Sequence, residues 1–218
     1  MKNYLITEKI YLIFLCCSFN LFFAQHDLKL KIINDTVKKV SSYDDCNIFY
    51  SISNTSENDY YLILDSVVFN EDPDYRIEPH FIGLPDYYIY LNNKLIKPMF
   101  SFGASSINNI NDEDFKCEEE THYNGWDPKV LCRISKLIIH LKPKEEKVFR
   151  TKVNFPEYRG RIYNLKNNHI YHLEISISNP VEYVEAYFNL IPKNQKAYKV
   201  FTGKLHSNKV PLIYKVYN

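Results

Sequence analysis

The residues best able to do chemistry gather in one stretch, 103–128, GASSINNINDEDFKCEEETHYNGWDP, with seven acidic residues and one lysine. Asp112, Glu113, Asp114 and Glu118 to Glu120 offer oxygen donors of the kind calcium takes, but without the ligand spacing and glycine of a calcium loop. They are read as a solvated acidic segment. Asn124-Gly125 is a turn dipeptide ahead of Trp126, the only tryptophan. Together with His122 and Tyr123, Trp126 forms a candidate platform for a sugar or peptide. The competing reading is that its ring pins the segment to the domain. Asp65, Glu118 and Glu119 are the carboxylates an acid–base reaction would use.

Other chemistry is sparse. The sequence contains no G-x-S-x-G, H-E-x-x-H, P-loop or G-x-G-x-x-G motif. His169 and His172, three apart in an extended run, point to opposite faces, and Glu78 with His80 supplies only two ligands. No catalytic residue, metal or cofactor is expected. Nucleic acid is not an expected partner, because its readers favour arginine and interleaved aromatics, and here there are 22 lysines and 5 arginines. The lysine-rich C-terminal half would suit an anionic polysaccharide or lipid headgroups instead.

The elements that must position these groups begin after an apolar run. Ile10 to Ala24 is interrupted only by Ser18 and Asn20, too short for a comfortable membrane span and ending at a small residue. It is expected to be a signal peptide, 1–24, cleaved after Ala24, which places the mature chain in the periplasm or outside the cell. An uncleaved anchor, or a lipid on Cys16 or Cys17, is the alternative. The mature chain, 25–218, has no further run of membrane-spanning length. It is expected to be one domain with an insertion at about 103–128. Residues 25–128 carry 8 basic and 19 acidic groups, and residues 129–218 carry 17 and 6. The simplest expectation is that the two halves face each other and cancel.

Export permits disulfides. Cys117 and Cys132 bracket a polar stretch and are the expected pair, while Cys46 falls in an apolar row and is expected to be a buried thiol.

Period-2 alternation marks strands. Cys46, Ile48, Tyr50 and Ile52 share one face; Phe149, Thr151, Val153 and Phe155 share another. Tyr171, Leu173, Ile175 and Ile177 alternate with His172, Glu174, Ser176 and Ser178, which puts Glu174 toward solvent and makes Glu174→Lys nearly silent. Tyr88 and Tyr90 share a face, either exposed or packed across strands. Asn92-Asn93 predicts a hairpin, and the tail predicts a closing hairpin across Ser207-Asn208. Nine or ten strands are expected, and the 5 glycines in 218 residues argue against glycine-rich architectures.

Three segments carry a resemblance: CNIFYSISNTSENDYYLILD (46–65), LKPKEEKVF (141–149) and IYHLEISISNP (170–180). They resemble a core strand ending in an Asn-Ser/Thr turn, an L-x-P-x-E turn, and a late strand opening with tyrosine, as in immunoglobulin-like and fibronectin-like sandwiches. The resemblance implies an all-β, antiparallel sandwich with Tyr171 as a tyrosine corner, and implies no activity. The expected function is an exported binding module acting on a protein or glycan through loops at the sandwich edge. A hydrolase of envelope polymers with a carboxylate pair, and a protease-inhibitor-like sandwich, remain the alternatives. If the signal reading holds, mass spectrometry of the exported protein finds Gln25 at the N-terminus; a full-length cytoplasmic chain refutes it.

Overall fold

The structure is a computed structural model that describes residues 27–41, 45–67, 69, 82–100, 136–158, 160–181, 184 and 198–216. The expected signal peptide, the acidic insertion with His122, Tyr123 and Trp126, and the Cys117–Cys132 pair lie outside the described residues.

The chain is all-β. Its strands are β1 (Leu28–Ile32), β2 (Val37–Lys39), β3 (Cys46–Asn54), β4 (Asp59–Ile63), β5 (Asp86–Leu91), β6 (Lys94–Ile96), β7 (Met99–Phe100), β8 (Ile138–Leu141), β9 (Glu146–Val153), β10 (Glu157–Tyr158), β11 (Arg161–Ile162), β12 (His169–Asn179), β13 (Tyr198–Val200), β14 (Gly203–His206) and β15 (Val210–Tyr214). These fifteen segments among the described residues exceed the expected nine or ten, because several are only two or three residues long. They form four sheets: β1-β3-β9; β2-β15-β12-β5-β6 with β14 also on β12; β13-β4-β8; and β10-β11-β7. Two pairs, β13 with β4 and β15 with β2, are parallel.

The expected inward rows hold. Ile48, Tyr50 and Ile52 join Leu28, Leu30 and Ile32 on one side of a common core, opposite Leu173, Ile175, Ile177, Tyr87 and Ile89. Cys46 is buried and free. Burial pushes its thiol up to about 11, and it donates to the Lys38 carbonyl at 3.3 Å.

Local signals explain the corners. Asn92 and Asn93 both take positive φ, 50° and 63°, and join β5 to β6 as a hairpin. In the L-x-P-x-E turn the Glu145 side chain accepts from Lys142 N–H at 2.7 Å. That turn carries the chain between sheets, since β8 pairs with β4 and β9 with β3. Asn54, fully buried at the end of β3, donates to the carbonyls of Asn58 and Lys142 and locks the two corners together. The Tyr171 hydroxyl accepts from Lys166 N–H, five residues upstream, at 2.7 Å.

The tail does not form a hairpin. Both β14 and β15 run antiparallel to β12, His206 opposite Ser176 and Val210 opposite Leu173. Three residues, 207–209, therefore oppose two, 174 and 175, which is a one-residue bulge. Asn208 in the bulge accepts from Ile32 N–H at 2.8 Å and ties the edge of β1 to this sheet.

Leu173→Asp or Ile175→Asp places an unpaired charge in the core and is expected to abolish the cooperative unfolding transition. Tyr171→Phe keeps the ring and loses the hydroxyl's two bonds to the Lys166 backbone, and is expected to cost about 1 kcal/mol in denaturant unfolding. Equal behaviour of all three would refute the strand phase.

Candidate functional site

The outer face of the sheet built on β12 carries a polar cluster. Period 2 puts Asp86, Tyr88 and Tyr90 outward on β5 while Tyr87 and Ile89 point to the core. The register sets Tyr88 opposite Glu174 and Asp86 opposite Ser176 on β12. The bulge beside β12 then brings up His206 and Lys209, and β14 contributes Lys204.

Glu174 is the correction to the sequence reading. It is on the expected face but only 8% exposed. His206 Nδ1 lies 2.8 Å from its Oε1 and Lys209 Nζ 3.8 Å from Oε2. Burial and that carboxylate hold the Tyr90 phenol above its ordinary range, so it stays protonated as a donor. Alternation identifies the face but not its cover, and this cover comes from strands remote in sequence.

The tyrosine rings are capped by lysines. Lys209 Nζ sits 3.6 Å from the Tyr90 ring centre, and Lys204 Nζ 5.3 Å from that of Tyr88. Lys204 also donates to the Tyr88 hydroxyl at 3.0 Å. Each ammonium group thus lies against a tyrosine ring.

At the end of the row, Asp86 meets Arg161, which is wholly buried. Arg161 Nη2 lies 3.1 Å from Asp86 Oδ1, and its guanidinium stacks 4.8 Å from the Tyr87 ring centre. Its Nε and Nη1 have no hydrogen-bond partner. Burial raises Asp86 above its ordinary 3.8, with Arg161 and Lys204 pulling the other way. Sequence reasoning missed this pair because β11 is two residues long and shows no alternation.

Other expected groups are dispersed. Asp65 is buried, and its Oδ1 accepts from Val67 N–H, which is a local turn bond. His169 is exposed, whereas the Nδ1 of His172 is buried. Among the described residues no group of three or more His, Cys, Asp or Glu could hold a metal, and no helix is long and apolar enough to cross a membrane. A cleft of about 180 Å³ lies elsewhere, lined by Asp27, Tyr60, Phe201 and Thr202. There the Tyr60 hydroxyl, first, and Lys199 hold the Asp27 carboxyl below its usual value.

No family model and no curated protein matches the chain.

Removing one partner of a buried pair strands the other charge. Asp86→Ala is therefore expected to cost about 3 kcal/mol in denaturant unfolding, and the double variant Asp86→Ala/Arg161→Met to recover most of it. Glu174→Lys faces Lys209 and His206 and is expected to cost roughly 2–4 kcal/mol. A silent Glu174→Lys would refute the buried cluster.

Proposed function

We propose that the protein is an exported, immunoglobulin-like β-sandwich binding module, released by cleavage after Ala24. Its partner is a glycan or protein outside the cytoplasm, and its contact surface is the Tyr88, Tyr90, Lys204, His206 and Lys209 row. The carrying observation is the buried Glu174. Folding alone gains nothing from desolvating a carboxylate on an outward face. Here that carboxylate draws an imidazole and an ammonium group to the face that carries the Tyr90 phenol, which is pre-organisation for a ligand with both donors and acceptors. The expected loop platform of His122, Tyr123 and Trp126, and the Cys117–Cys132 bond, remain part of the proposal as a second contact element.

A hydrolase is the second reading, favoured by the raised Asp86 standing diagonal to Glu174 on one face. It has less support, because both carboxylates are already engaged: Asp86 by the Arg161 guanidinium, Glu174 by the His206 ring and the Lys209 ammonium.

Titration of soluble oligosaccharides from the host envelope, followed by tyrosine fluorescence, tests the module. Tyr88→Ala/Lys204→Ala is expected to weaken binding by roughly tenfold or more with folding intact. Unchanged binding refutes the surface; turnover of the oligosaccharide that Asp86→Asn abolishes favours the hydrolase.

A further inference from the structure

The second broad surface is the outer face of the β1-β3-β9 sheet. Pairing registers lay it out as a grid. Lys29, Ser53 and Glu146 form one row; Lys31, Ser51 and Val148 the next. Phe49 and Arg150 follow, with Ile33 bonded to the Phe49 carbonyl, and then Asn47 and Lys152. Four cations thus face one carboxylate within these strands.

The cations are arranged rather than scattered. Lys29 and Lys31 hold one corner, and Arg150 and Lys152 the diagonal opposite. The stripe between Lys29 and Lys152 runs about 20 Å, from six residues of strand rise and two strand spacings. Lys29, Lys31 and Lys152 are exposed, and none forms an ion pair among the described residues. Arg150 is pre-set: Nε and Nη2 donate to Asn47 Oδ1 at 2.9 and 2.7 Å, and the guanidinium lies 5.8 Å from the Phe49 ring centre. Among the described residues no salt bridge accounts for this charge, and Lys29 and Lys31, two apart on one face of β1, repel one another. The same face leaves Ile33, Phe49 and Val148 exposed at 43%, 38% and 60%.

We infer that this face binds a linear anionic polysaccharide lying along the cation diagonal, with Phe49 as a stacking surface at its middle. Charge complementarity names the ligand's sign, and the stripe's length and narrowness name its shape. A membrane is the poorer fit, since Ile33, Phe49 and Val148 stand on a flat sheet and not on a protruding loop. The inference is independent of the tyrosine–lysine face.

Polygalacturonate is the probe, with uncharged dextran as its control and vesicles of phosphatidylglycerol and phosphatidylcholine as the membrane arm. The natively processed protein is expected to bind polygalacturonate in a salt-sensitive way and not dextran. Lys31→Glu/Arg150→Glu should bind roughly 25-fold more weakly or worse, at about fivefold for each cation lost. Lys94→Glu/Lys97→Glu, an equal charge change on and beside β6, should stay within about threefold of the wild type. Should the first variant misfold, Lys31→Gln/Arg150→Gln serves in its place. Equal weakening by both pairs, capture of vesicles without polygalacturonate, or no binding at all overturns the inference.

Discussion

Everything in this molecule hangs on β12, which must satisfy its backbone on both edges while burying one face. Its N–H and C=O groups pair with β5 on one side and with β15 and then β14 on the other. Over His172–Ser176 it is flanked by strands on both sides, and its inward row Tyr171, Leu173, Ile175 and Ile177 is almost wholly buried. The one-residue bulge at 207–209 is where β14 passes into β15, and it has two structural results. Asn208 reaches across to Ile32, so the two main sheets are bonded at that rim. His206 and Lys209 are turned toward Glu174, which closes the polar cluster on the outer face.

The same sheet shows how a buried polar network trades stability for shape. Asp86 and Arg161 desolvate one another's charge, and two guanidinium donors stay unsatisfied. Well-packed apolar residues in those places would hold the core at least as well. The network instead fixes the directions of Tyr88, Lys204 and the start of β5. Glu174, at the row's centre, does the same for Tyr90 and Lys209. A surface built this way loses little rotamer entropy when it meets a partner.

Charge is distributed by pairing and not by position along the chain. The acidic first half and basic second half do meet, since β3 lies against β9. Cancellation is incomplete, however, because β3 contributes no carboxylate to the shared outer face. Lys29 and Lys31 belong to the acidic half and still stand with Arg150 and Lys152. The net charge of a segment says nothing about the face on which its charges emerge.

The sequence by itself determined the all-β class, the phase of the long strands and the hairpin at Asn92-Asn93. Each follows from local physics: a period of two, and a positive φ that asparagine tolerates. Only the tertiary structure decided that the tail is a bulged strand on β12 and not a hairpin, because either pairing suits the alternation of 198–216. Only the tertiary structure buried Glu174 and Arg161. The period of two assigns a side chain to a face, but its exposure depends on what neighbouring strands bring there. The partners of Glu174 arrive from the end of β14 and from the bulge, and that of Arg161 from the start of β5. These long-range pairings leave no periodic trace in the stretches of chain they join.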